Sequence, residues 1–309
     1  MIITVTLNPA IDQNISADQL VFDDRAYILD TFDSAGGRGI NASRVIHSFG
    51  AKTLAVTLSG GEGREDFERL MREYGFPVEF VPMKNSVRRN LSITDKQGLS
   101  VKLNEKGPAL DASEIQAVEE AIRRRLPKAK WLMICGSMPP GAPHNFYCRL
   151  IEAAKEHQVQ TLLDTDSDPL TVAMEAGPTV VTPNQPEAER LLGRALLTRS
   201  HFVEAAQRIR DMGSQMVVLS LGARGAVGCT DKKVYEVVPP RVEAVCPIGA
   251  GDAMAAAFTW SMMKGKTFSD SVRWGVAAGT ASAMLPGISF PTMDQTKEIY
   301  KRVEVREVA

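Results

Sequence analysis

From about residue 130 onward the chain alternates short apolar runs with stretches of helical spacing, and this alternation restricts the fold more than any other feature. The apolar runs are "WLMIC" at 131–135, "TLLD" at 161–164, "TVV" at 179–181 and "MVVLSL" at 216–221. Between them, "PHNFYCRLIEAAKEH", "PEAERLLG" and "FVEAAQRIRDMG" carry apolar residues at three- and four-residue spacing. Strands alternating with amphipathic helices predict βαβ units around a parallel sheet covered on both faces. The N-terminal part fits the same plan, with strands expected near 2–7 and 53–58 and helices near 39–49 and 64–74. Three segments break the rhythm. "YILDTF" (27–32), "RRNLSITD" (88–95) and "LSVKL" (99–103) read as β without intervening helices, and "DKQG" between the last two has hairpin composition. They predict a small antiparallel sheet set apart from the main one, as a lid or an oligomer contact.

With 309 residues, 44% of them hydrophobic, the chain can fill one large core or two ordinary ones. It shows no linker, repeat or low-complexity segment, so a single domain over 1–309 is expected. The 36 basic and 37 acidic residues leave a formal net charge of −1. No global field therefore recruits nucleic acid or a membrane surface, and any phosphate recognition is local. The opening "MIITVTLNPAID" lacks the basic, apolar and small-residue succession of a signal peptide and reads as a strand. The most apolar segment, "AMAAAFTWSMM" at 253–263, is too short to span a bilayer and reads as a buried helix. Cys135, Cys148, Cys229 and Cys246 form no close pair, and His47, His144, His157 and His201 show no ligand spacing. Both sets read as packing or surface residues, and a reducing, cytoplasmic location is expected.

In an open parallel sheet, ligands bind beyond the carboxyl ends of the strands. "LNPAID", "GSMPPG", "LLDTDSD", "VVTPNQPEAE" and "LSLGARG" all stand just after apolar runs. The stretch "VCPIGAGDAMAAAF" (245–258) admits two readings on its own. Gly249 and Gly251 form an ordinary turn with Asp252 capping the helix that follows. Alternatively, the small residues let an anion approach the helix N-terminus, and Asp252 works as a base.

Taken together, "AGGRGINASR" (35–44), "GSMPPG" (136–141), "DTDSDPL" (164–170), "TPNQPEAE" (182–189), "SLGARG" (220–225) and "IGAGDAMAAAF" (248–258) resemble, in order, the signatures of the ribokinase-like PfkB carbohydrate kinases. The resemblance covers nearly the whole chain. "TLNPAID", "VRRNLSI" and "VRWGVAAGTASAM" are most similar to the phosphohexose kinases, a subgroup that includes 1-phosphofructokinase, tagatose-6-phosphate kinase and the minor 6-phosphofructokinase. It implies a Rossmann-like α/β/α sandwich with a mainly parallel central sheet and a small β-sheet lid, its strands drawn from about 12–33 and 87–104. It also implies lid-to-lid homodimers.

The activity implied is transfer of the γ-phosphoryl group of ATP to a hydroxyl of fructose 1-phosphate, fructose 6-phosphate or tagatose 6-phosphate, three acceptors that differ in hydroxyl geometry within one pocket. By the same resemblance Asp252 is the base, and the backbone of Gly249, Ala250 and Gly251 is the anion hole. Asp12 accepts from sugar hydroxyls, and Gly36, Gly37 and Asn41 open a helix beside the sugar. Arg25, Arg88 and Asn90 are the handles for the existing phosphate, since a guanidinium pairs two oxygens at once. Ser137 adds a hydroxyl. Arg38 either joins this anion pocket or is a solvated helix arginine. On the nucleotide side, Asn184 and Glu187 match an Asn-x-x-Glu associated with Mg²⁺, Glu187 acting partly through water. Ser220, Gly222 and Gly225 match the turn that approaches ATP.

Three positions depart from the pattern. Thr182 stands where these kinases carry a lysine that helps neutralise ATP phosphates, which implies weaker or altered donor use. Pro247 and Ile248 replace a common Thr-Val before the glycines, and Tyr27 occupies an arginine position of the 6-phosphofructokinase relatives, which argues against that activity. Two other readings stay open on the sequence. One is a kinase of an unphosphorylated sugar or nucleoside, which has no use for Arg25 and Arg88. The other is a non-catalytic sugar-phosphate sensor, favoured by Thr182 and opposed by the intact Gly249, Gly251 and Asp252.

Overall fold

Parallel strands with no polar alternation must be buried on both faces, and the apolar runs behave in this way. "IITVT" at 2–6 and "WLMIC" at 131–135 are buried along their whole length. The structure, a computed structural model, describes residues 1–21, 23–165 and 167–308. Asp166 of "DTDSDPL" lies outside the described residues. The strands are β1 (Ile2–Thr6), β2 (Ala10–Ala17), β3 (Ile28–Gly36), β4 (Thr53–Gly60), β5 (Val78–Met83), β6 (Arg88–Asp95) and β7 (Ser100–Asn104), then β8 (Trp131–Cys135), β9 (Gln160–Asp164), β10 (Val180–Val181), β11 (Met216–Ser220), β12 (Ala226–Cys229), β13 (Val234–Val238) and β14 (Glu304–Glu307).

The large sheet runs β14-β13-β12-β11-β10-β9-β8-β1-β4-β5. Neighbours from β5 to β11 are parallel, and β12, β13 and β14 add antiparallel strands at one edge. Alternate residues feed two separate cores, as the pleat requires. Ile3, Leu132, Ile134 and Leu163 meet one; Ile2, Met133 and Leu162 meet the other. The second core includes the helices Arg38–Ser48, Ala250–Met263 and Phe268–Ala283. Small residues bring the last two close: a Cβ at Gly275 or Gly279 would stand 2.9 Å from a carbonyl oxygen of the facing helix. Among the described residues no helix is long and apolar enough to cross a membrane.

A second sheet, in the order β3-β2-β6-β7, stands apart. It differs from the expected antiparallel sheet in one respect: its central pair, β2 and β6, is parallel. The reason is topological. Both β1 and β5 end at the same rim of the parallel sheet, and each continues after a short turn into a lid strand, so β2 and β6 leave the rim in one direction.

Strand β1 lies between β4 and β8. From β1 the chain builds one side of the sheet through β4 and β5, then the other through β8 and β9. The order reverses there, which opens a crevice beyond the ends of β1 and β8, and the lid rises from the same place.

Candidate active site

The crevice is a cleft of about 400 Å³, whose lining includes Asn8 after β1, Gly136 and Ser137 after β8, Asp12, Arg88 and Asn90 of the lid, and Asp252. Asp12 and Asn90 are opposite each other in the β2–β6 register, and Asn90 Nδ2 donates to Asp12 Oδ1 at 2.8 Å. The other carboxylate oxygen lies against Gly36, where a Cβ would come within 1.8 Å of it. Burial pushes the Asp12 carboxyl up, opposed by the Asn90 hydrogen bond and by the charges of Arg88 and Arg44.

Gly37, at φ 135°, caps the helix Arg38–Ser48 and turns the chain off the lid. One turn in, Asn41 Nδ2 donates to Asp252 Oδ2 at 2.7 Å. Asp252 therefore does not act as a helix cap. Gly249, at φ 81°, occupies the cap position of Ala250–Met263 with no side-chain hydrogen bond, so the helix end is offered by its backbone. The Asp252 carboxyl is pushed up to about 7 by burial first and by Asp164 second, against the Asn41 bond and Arg38. Gly249 and Ile248 line the cleft beside it.

Four buried polar atoms of cleft residues have no partner among the described residues: Oδ1 of Asn8, Asn41 and Asn90, and Nε of Arg88. Buried polar atoms are nearly always paired in folded proteins. Three acceptors and a cationic donor around one cleft match a ligand rich in hydroxyls that also carries an anion.

On the far side of Arg38 lies a second group. Arg38 lines the cleft, but its guanidinium reaches Asp164 Oδ1 at 3.1 Å and Glu187 Oε1 at 3.2 Å. It is thus neither a solvated arginine nor solely part of a sugar-side pocket. Glu187 is buried, its carboxyl raised by that burial, and it closes a capping box with Asn184. Asn184 bridges Ser220. The turn after Ser220 depends on Gly222 at φ 59° and on Gly225 at φ 92°, where a Cβ would meet Val237 O at 2.0 Å. Glu187, Asn184, Ser220, Gly222 and Gly225, the residues expected on the nucleotide side, adjoin one another outside the lining of the cleft.

Some expected residues stand elsewhere. Ala250 and Gly251 form the first turn of their helix without lining the cleft, and Gly251 is exposed. Arg25, expected as a phosphate handle, is exposed on the loop between β2 and β3 and does not line the cleft. Arg88 does line it, with Nη1 and Nη2 donating to Glu105 O at 2.8 Å and Asn8 O at 3.0 Å. The structure adds residues that the sequence reading did not single out: Asn8, Ser92, Lys102 and Asn104. The last three carried a signal in the strand period, since Asn90 pairs with Asn104 and Ser92 with Lys102, which puts all four on one face.

The large sheet with its separate lid, and a helix end presented by backbone beside a buried carboxylate, define a ribokinase-like α/β protein. The chain belongs to the PfkB family: the family described as "pfkB family carbohydrate kinase" matches residues 7–295. It is a phosphotransferase with an alcohol group as acceptor. It is 32% identical to the ATP-dependent 6-phosphofructokinase isozyme 2 of Escherichia coli K12, over 97% of each chain. It is 28% identical to a tagatose-6-phosphate kinase of Staphylococcus epidermidis over the full length of both. A crystal structure of phosphofructokinase-2 from Escherichia coli in complex with potassium superposes with a TM-score of 0.92, at 30% identity, over 97% of this chain and 98% of that one.

Proposed function

We propose that this protein transfers the γ-phosphoryl group of ATP to a hydroxyl of a phosphorylated ketohexose of the fructose 1-phosphate, fructose 6-phosphate or tagatose 6-phosphate class. The observation that carries this reading is the set of unpartnered atoms of Asn8, Asn41, Asn90 and Arg88 around a cleft holding the half-buried Asp12 and the buried Asp252. Asn90 holds Asp12 toward the sugar hydroxyls. Asn41 holds Asp252 toward the one that reacts. Ser137, Arg88 and Lys102 suit the phosphate already on the sugar.

In the transfer, the hydroxyl oxygen forms a bond to the γ-phosphorus, the bond to the β-phosphate oxygen breaks, ADP leaves, and the hydroxyl proton passes to the Asp252 carboxylate. The backbone N–H groups over 249–252, apart from that of Ala250, which donates to Pro247 O at 3.2 Å, and the dipole of the helix they open stabilise charge on the transferred group. Asn184, Ser220, Gly222 and Gly225 accommodate the nucleotide. Both Glu187 oxygens already accept hydrogen bonds, from Asn184 N at 2.9 Å and from Arg38. Among the described residues no group of three His, Cys, Asp or Glu could hold a metal. This donor set fits Mg²⁺ carried by the nucleotide and reached by Glu187 through water. Bound there, the ion would neutralise phosphate charge.

The reading is one kinase domain with a lid, in a reducing, cytoplasmic compartment that suits four unpaired cysteines. The lid exposes Tyr27, Ile28, Leu29, Phe32 and Leu103, an apolar surface that supports a homodimer through the lid. Sedimentation should give a dimer, and Phe32→Asp together with Leu29→Asp should give a monomer.

ADP release with ATP and Mg²⁺ across a panel of sugars and sugar phosphates tests the activity. Turnover confined to phosphorylated ketohexoses is expected, and Arg88→Ala should raise their KM by about tenfold or more, the cost of a charge-assisted contact. Turnover of unphosphorylated sugars alone overturns the reading, as does tight sugar-phosphate binding with no ADP release.

A further inference from the structure

Arg44 closes the stretch "AGGRGINASR" and takes no part in the chemistry above. Its guanidinium is held between two rings, with Cζ 4.4 Å from the Tyr74 centroid and 4.7 Å from that of Phe290. Its Nη1 is buried with no hydrogen-bond partner. A half-buried cation stacked on two rings with a buried donor unused is costly if it serves packing alone.

Each ring leads to one end of the site. The Tyr74 hydroxyl donates to Ala35 O at 2.7 Å, and the next residue is Gly36, the floor beneath the Asp12 carboxylate. Phe290 packs on Gly249, where a Cβ would stand 2.9 Å from its Cε1. The Phe290 loop is pinned to the helix of Arg44 as well, by Ser48 Oγ donating to Pro291 O at 3.2 Å. Arg44 therefore stands between the floor of the sugar carboxylate and the cap of the phosphoryl-binding helix.

We propose that Arg44 is a positioning residue that holds Asp12 and Gly249 at one working separation, through Tyr74 on one side and Phe290 on the other, and that its cation acts on the Asp12 carboxylate. The inference rests on the roles given above to Asp12 and Gly249. Asp12 is faced by Arg88 and Asn90 from the lid, Arg44 from the helix, Tyr74 beside it and Asp252 across the cleft. Arg44 is one of two cations favouring its ionised form, so removing that charge raises the pH at which Asp12 ionises.

The test uses the whole chain labelled with ¹³C at the aspartate carboxyl carbons, Asp12 being assigned with Asp12→Asn, so it needs no turnover. Arg44→Met should move the Asp12 midpoint up, and Arg44→Lys should leave it where the wild type has it. On the acceptor that the wild type turns over best, Arg44→Met should raise KM by about tenfold, with the acidic rise in KM displaced to higher pH. Arg44→Lys should restore KM yet leave kcat low, because an ammonium does not stack flat on Phe290. Phe290→Leu should lower kcat with the acceptor KM unchanged. An Asp12 midpoint unmoved in Arg44→Met, with only the melting temperature lowered, overturns the inference. If Arg44→Met does not fold, unchanged kcat in both Arg44→Lys and Phe290→Leu overturns it instead. A wild type that turns over no sugar overturns the proposed function, while the Asp12 midpoint still decides the role of Arg44.

Discussion

Asp252→Asn is expected to remove nearly all turnover and, above neutral pH, to make the protein more stable. A positioned base contributes about 10²- to 10⁴-fold, so kcat under saturating substrates should fall by at least that range. The stability effect has the opposite sign. Burial and Asp164 raise the Asp252 carboxyl to about 7 in the folded chain, whereas in the unfolded chain it titrates in the ordinary carboxylate range. The folded state thus holds a proton that the unfolded state has released. Stability is lost as pH rises between those two values, and the loss is complete above about 7. A neutral amide removes this dependence, and Asn41 can turn its unpartnered Oδ1 to accept from it. The gain at pH 8 is on the order of a few kcal/mol, with a melting temperature several degrees higher. No gain is expected at pH 4. The same ionisation puts the acidic limb of the wild-type kcat/KM profile near pH 7. Thermal melts at pH 4 and 8 with single-turnover kinetics check all of this, and unchanged kcat would sink the assignment of Asp252 as base.

Gly36→Ala is expected to be nearly as damaging to activity, through a single methyl group. The φ of Gly36 lies outside the positive range, so alanine meets no backbone strain there. Its Cβ would stand 1.8 Å from Asp12 Oδ2. The carboxylate must swing away, giving up its 2.8 Å bond from Asn90. Stability should fall by only about 1–2 kcal/mol, the worth of one charge-assisted hydrogen bond and some overpacking. Acceptor KM should rise by about 100-fold, and ATP KM should stay close to that of the wild type, because a displaced Asp12 leaves hydroxyls unpaired in the sugar half alone. Equal losses for both substrates would show that Gly36 supports the whole cleft.

These two effects come from different depths of the sequence. The helix start beside Asp252 was legible because glycines, a carboxylate and an apolar helix follow one another in the chain, while the expectation of a base came only with the resemblance. The strand succession was legible for the same reason, since runs such as "WLMIC" have no polar face. Contacts between distant residues were not. That Asn41 holds Asp252 across 211 positions depends on tertiary packing. That Arg38 turns to Asp164 and Glu187 follows from the end of β9 and the helix Gln185–Leu192 converging on it. Lys102 was hidden differently, because its strand was expected while the face it presents follows from pairing with Ser92. The parallel β2–β6 pair needed the main sheet's direction, which a strand-by-strand reading does not contain. Arg25 illustrates the reverse, a residue whose motif position suggested a site that this chain's loop does not reach.

The lid contributes few side chains to either core, among them Ile11 and Ala35, and it meets the base only where the chain crosses the rim. Its cleft-facing positions at Ser92, Lys102 and Asn104 are therefore nearly free of structural duty. On the proposed function, substitutions there would retune the choice of acceptor while leaving Asp252 and the helix that begins beside it untouched, so acceptor choice and catalytic power would be separately inheritable in this architecture.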